Sequence, residues 1–141
     1  MITRRHSHLF KNVFAVSLLA AGLLSSAAHA ADKSVSILEP KDGATVSSPF
    51  KVKFGVTGMT VHPANEIIEG TGHHHLLINQ GPIKEGEAIP MDANHLHYGK
   101  GQTEADVTLP PGKYELTAQF ANGAHQSYGP ALSKTIHVTV K

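Results

Sequence analysis

The chain contains no cysteine. Disulfides, thiolate metal sites and thiol catalysis are therefore excluded, and any metal site must be built from histidine, carboxylate, methionine or backbone oxygen. A basic stripe is also missing. Lys and Arg total 12 against 11 Asp and Glu, with no cluster able to displace counterions from phosphate, which argues against nucleic acid as a partner and against anionic lipid. Beyond residue 31 no apolar run approaches the roughly twenty residues of a membrane-spanning helix, and no helical period with caps is found. Nor is there a Gly-x-Ser-x-Gly nucleophile turn, a cofactor loop, an internal repeat or a low-complexity tract.

What is present begins with an export signal. Arg4, Arg5 and Lys11 form a basic start without acids, Val13 to Leu24 is apolar, and Ala28-x-Ala30 supplies the small side chains that signal peptidase requires. About twelve apolar residues are too few to cross a bilayer. The expectation is thus a signal peptide at 1–30, cleaved before Ala31, and a single domain at 31–141 located in the periplasm or secreted, with no membrane insertion after processing. That remainder holds 111 residues, with nine basic against eleven acidic side chains, enough for one modest core.

Period-two alternation dominates the mature part. Phe50, Val52, Phe54 and Val56 share one face with lysines opposite, Tyr114, Leu116, Ala118 and Phe120 another, and Ile136, Val138 and Val140 a third. Shorter strands are expected at Ser34 to Leu38, His73 to Asn79, His95 to Tyr98 and Ala105 to Leu109, each bounded by Gly, Pro, Asn or Asp. About seven short strands predict an all-β protein, an immunoglobulin-like β-sandwich. Within Leu109-Pro110-Pro111-Gly112-Lys113-Tyr114, Tyr114 is either a corner tyrosine or a core aromatic at a strand start. Two long connections, Gly58 to Gly72 and Gln80 to Asn94, each lead into a histidine-bearing strand.

Eight histidines follow the signal: His62, His73, His74, His75, His95, His97, His125 and His137. Alternation with Leu76 and Ile78 places His74 on the core face, packed beneath a site and hydrogen-bonded to backbone or orienting a ligand, and turns His73 and His75 the other way. His95 and His97 repeat the pattern around Leu96. Residues i and i+2 of a strand lie about 6.5–7 Å apart, so two imidazoles can converge on one ion, and two adjacent His-x-His strands can supply four. His125, in the turn before the last strand, is a fifth candidate if that turn folds over the same end. Met59 and Met91 precede the two histidine strands, and Met59 is the candidate soft ligand, since thioether sulfur selects Cu(I); either can equally be a gap filler. The competing reading is of ordinary polar histidines on exposed strands, titrating near neutral pH. His137, between Thr135 and Thr139, is expected to be a plain surface residue.

The sequence resembles the domain of unknown function 4399 family of short bacterial exported proteins. The likeness runs through Glu39-Pro40-Lys41-Asp42-Gly43, Gly70-Thr71-Gly72-His73-His74-His75, Asn94-His95-Leu96-His97-Tyr98-Gly99, Leu109-Pro110-Pro111-Gly112 and Gly123-Ala124-His125. Where the family carries an acidic residue with prolines after the last histidine, this chain reads Gln126-Ser127-Tyr128-Gly129-Pro130. The resemblance implies a compact β domain of the envelope and no established activity. The leading expectation is a metal-binding module, copper first and zinc second, acting as carrier, buffer or accessory domain through His73, His75, His95, His97, His125 and Met59. Expected partners are the metal ion and another envelope protein. The alternatives are a metal-dependent enzyme with an open three-histidine site, for which Glu66, Glu69 and Glu104 are the available acids, and a structural envelope domain without metal.

Overall fold

A computed structural model describes residues 32–141, so the expected signal peptide and its cleavage point lie outside the described residues. Every strand expected from alternation is present: β1 (Ser34–Glu39), β3 (Phe50–Thr57), β5 (Thr71–Ile78), β6 (His95–His97), β7 (Glu104–Val107), β8 (Gly112–Ala121) and β9 (Ser133–Val140). Two further strands of two residues each, β2 (Thr45–Val46) and β4 (Thr60–Val61), were too short to give an alternation. Among the described residues the only helical turn is of the 3₁₀ type, Pro130–Leu132. The chain is all-β.

Strands β1, β3 and β7 form a three-stranded antiparallel sheet. The second sheet runs β2-β9-β8-β5, and the outer edge of β5 is divided between two partners. Its start pairs in parallel with β4 at Thr71 and Gly72, and its later half pairs antiparallel with β6 from His75 to Leu77. The two sheets face each other in a sandwich-like arrangement over one apolar core. Val35, Val52, Phe54 and Val107 from the smaller sheet meet Leu76, Leu116, Phe120, Ile136 and Val138 from the larger. Each of these is the inward member of an alternating pair, which is why period two in the sequence becomes burial in the fold.

At the start of β8, the Tyr114 hydroxyl donates to the Pro110 carbonyl at 2.8 Å, closing the turn that leads into the strand.

The outer face of the larger sheet is covered as well. The connection from β5 to β6 folds back so that Ile83 and Ile89 pack on Leu77 and Ala121. Backbone bonds from Ile89 to His125, Gly86 to Ser127 and Ser127 to Glu87 fasten it to the β8–β9 connection. A segment of such length is held, here, by the very turn that carries His125.

Candidate metal centre

Strand β5 is buried on both faces, from Gly72 to Ile78. On the core side His74 stacks on Phe54, with ring centroids 4.8 Å apart, and meets Phe120 at 5.0 Å. Its face is the one alternation assigns. Its expected hydrogen bond is not there: both ring nitrogens are buried without a partner. Two aromatic neighbours offer neither donor nor acceptor in the plane of the imidazole, which explains the result.

On the opposite side His73 and His75 project into a cluster completed from two other elements. Register supplies the first: His97 of β6 stands directly across from His75, with ring centroids 5.1 Å apart. The second is the turn after β8. There the Asn122 side-chain oxygen accepts from the backbone N–H groups of Ala124 and Gln126, and His125 donates its own N–H to the Asn122 carbonyl. This cage holds His125 at φ 61°, a left-handed conformation that disfavours most side chains but that histidine adopts more readily than most. Gly123 in the same turn lies against the backbone of Glu66, where any side chain would overlap. The turn is thereby docked on the β4–β5 connection.

One ligand atom from each of His73, His75, His97 and His125 lies within 4.8 Å of the other three. His73 Nε2 and His125 Nδ1 are 3.2 Å apart, close to the roughly 3.3 Å edge of a tetrahedron with metal–nitrogen bonds near 2.0–2.1 Å. Two ring nitrogens of the group, His73 Nδ1 and His75 Nδ1, are buried with no hydrogen-bond partner. Leaving such atoms unpaired is unfavourable by about 1–3 kcal/mol each. Burial, and after it repulsion from neighbouring rings, lowers His73 to about 4 and His75 to about 2. Burial and then His125 lower His97 in the same direction. At neutral pH these three rings are therefore neutral, with lone pairs free, as metal ligation requires. The donor set fits a four-coordinate ion that takes imidazole.

His95 stands apart from this group. It shares a face with His97, as alternation predicts, but its register partner is Leu77, two residue pairs further along the sheet. There its Nδ1 bonds Asp92 Oδ1 at 2.7 Å. Met59 is half-buried and packs against the main apolar core, the gap-filling role. Met91 is 81 % exposed beside β6. His62 bonds the Pro63 carbonyl through Nδ1. His137 is an exposed surface residue, with Asp42 Oδ1 at 3.6 Å and Glu115 Oε2 at 3.5 Å. Of the candidate acids, Glu104 is on the smaller sheet, paired with Lys51. Residues that support the cluster without ligating it escaped the sequence reading: Asn122, Gly123 and Gly99, whose missing side chain leaves room for the His97 ring. The dipeptide Asn122-Gly123 is a turn signal that points to the first two; nothing in the sequence marks Gly99 apart from other loop glycines.

An all-β chain with two facing sheets and four convergent imidazoles is the class that fold and site define together. The chain belongs to the family described as Domain of unknown function (DUF4399), whose model matches residues 52–141 and so includes all four histidines. No curated protein matches the sequence. Among solved structures the chain is similar to the endo-β-1,4-mannanase from Thermotoga petrophila, at 14% identity and a TM-score of 0.46. That match covers 77% of this chain and 20% of the mannanase, a likeness too slight to bear on fold or activity.

Proposed function

We propose that this chain is a metal-binding domain that holds one ion, copper before zinc, on His73, His75, His97 and His125. The convergence of four imidazole donors within 4.8 Å carries the reading. An all-imidazole set suits copper, zinc or nickel, and intrinsic affinity in this series peaks at Cu(II). Because the group contains no carboxylate, a carrier, buffer or accessory role is favoured over a hydrolytic enzyme, which needs an acid or base beside its metal. The signal read at residues 1–30 would deliver the domain to the periplasm or beyond, where another envelope protein would give or take the ion. Strand order supports an immunoglobulin-like assignment: β1, β3 and β7 correspond to strands A, B and E, and β5, β8 and β9 to C, F and G. The Tyr114 bond at the start of β8 is the corner that such domains place at strand F.

Calorimetric titration of residues 31–141 with Cu(II) and Zn(II) at pH 7.5 tests the reading. One ion per chain is expected. His97 is the exposed member of the group, so His97→Ala removes a ligand without opening a core cavity. It should weaken binding by more than about 100-fold, beyond the range typical of outer-shell partners. His137→Ala, at a separate surface position, serves as the neutral control. Equal affinity in wild type and His97→Ala would refute the site.

A further inference from the structure

Beside the four-histidine cluster lies a second set of donor atoms that the cluster does not use. His73 and His75 are sealed from solvent, whereas His97 is exposed, so an ion arriving from solution meets His97 first. His97 also lines a shallow open cleft whose other walls are Met91, Asp92, His95 and Leu96. Met91 presents its thioether to solvent with 81 % of its surface exposed, and thioether sulfur is a soft ligand that selects Cu(I). His95 is prepared for a metal in a different way. A carboxylate only accepts, so the 2.7 Å contact with Asp92 makes Nδ1 the donor and leaves the lone pair on Nε2. Carboxylate–imidazole pairing of this kind orients metal-bound histidines and raises their basicity. Asp92 is fixed in turn, accepting from the Asn94 N–H at 2.8 Å through its side chain and from the His95 N–H at 3.2 Å through its carbonyl.

We propose that Met91 and His95 form a surface acceptance site for Cu(I), from which the ion passes by way of His97 into the four-histidine cluster. The proposal rests on the cluster being a metal site. His95 and His97 share one face of β6 two residues apart, about 6.5–7 Å between Cα atoms, so the transfer is a short ligand exchange along one strand. No electron moves. The ion remains Cu(I), and at each step one neutral donor is released as another binds: the thioether sulfur and His95 Nε2 give way to the imidazole of His97, and then to its buried neighbours.

A site on the path serves both directions, so removing it slows loading and release by the same factor. Removing a resident ligand instead accelerates release. The test is stopped-flow loading of residues 31–141 with Cu(I) supplied anaerobically as an acetonitrile complex, followed by release to a Cu(I) chelator. His95→Ala and Met91→Ala are each expected to slow both processes at least tenfold, while His97→Ala speeds release. Zn(II) loading should respond to His95→Ala and not to the thioether, which is no ligand of zinc's usual set. Met91 is exposed enough that its substitution leaves folding intact, so one arm survives even if His95→Ala is unstable. Wild-type rates in both variants overturn the route and leave the cluster standing. Fast release from His95→Ala, equal to that of His97→Ala, makes His95 a resident ligand and also overturns it. Absence of Cu(I) binding by the wild type overturns the route, and the cluster falls with it only when Cu(II) and Zn(II) also fail to bind.

Discussion

His74 sits in the most buried strand with two ring nitrogens that nothing satisfies, an arrangement that lowers stability by about 1–3 kcal/mol per unpaired atom. Leucine is close to histidine in volume and carries no polar atom, so it fits between Phe54 and Phe120 without the penalty. His74→Leu is therefore expected to raise the unfolding free energy of the metal-free protein by about 1–3 kcal/mol at pH 7.5. The gain should be larger at pH 5. Burial holds His74 at about 4 in the folded state against about 6.5 unfolded. A group shifted in this sense loses its stabilising contribution as pH falls below 6.5, because the unfolded chain binds the proton first. Urea unfolding of both proteins at the two pH values is the check; a variant less stable than wild type at pH 7.5 would mean that the ring has a partner after all. At this scale the sequence was half legible. Alternation with Leu76 and Ile78 gave the face of each histidine in β5, because parity depends only on the strand being a strand. Depth was not legible, since the rings that pack on His73 and His75 belong to His97 and His125, which arrive from β6 and from the turn after β8.

Strands were easier to read than their neighbours. Six of the seven expected strands carry at least two inward apolar residues, and β6 has Leu96 with Tyr98 just beyond its end, a pattern that survives without knowledge of partners. Pairing is another matter. That β6 meets β5 with His97 opposite His75, and not with His95 there, is a matter of register that alternation leaves open: a two-residue slip that put His95 opposite His75 would set His97 opposite His73 without changing the face of any side chain. The contribution of the turn after β8 was legible only as a condition, that His125 joins if the turn folds over the same end. What satisfies the condition is Asn122 bonding across the turn and Gly123 lying on Glu66. The segment after β6 acts on the cluster in a comparable way. A side-chain carbon on Gly99 would overlap the His97 ring at Cε1 and Nε2, so Gly99→Ala must turn that ring aside while leaving every ligand in place. Its metal affinity should fall by about 10- to 100-fold, the usual effect of disturbing the atoms that orient a ligand. Chain stability should change little, because His97 is exposed and free to move. Titration beside thermal melting separates the two effects, and unchanged affinity would show that the His97 orientation does not matter to binding.

For the molecule as a whole, the two sheets supply a core that needs no metal, and the histidines of β5 add a liability in acid. His73 and His74 are lowered to about 4 and His75 to about 2, in each case chiefly by burial. Unfolded, all three titrate near 6.5. Between those values the unfolded chain binds more protons than the folded one, so stability rises with pH, each group adding a slope of up to about 1.4 kcal/mol per pH unit. The effect is complete above pH 6.5 and is lost on descending through the window, down to about 4 for His73 and His74 and further for His75. A domain of ordinary stability, about 5–15 kcal/mol, cannot absorb three such slopes over two units with much to spare. Metal-free protein is thus expected to unfold with a midpoint between about pH 4 and 5.5. An ion bound only by the folded state opposes this, adding about 2.7 kcal/mol at a free concentration of one hundred times Kd. Against the combined slope of the three rings, that should move the acid midpoint down by about half a pH unit. Circular dichroism during acid titration, with chelator in one sample and Cu(II) in the other, measures both numbers. A metal-free midpoint below pH 3 would show that the rings of β5 are not held neutral by burial, and coincident curves would show that copper does not bind the folded cluster.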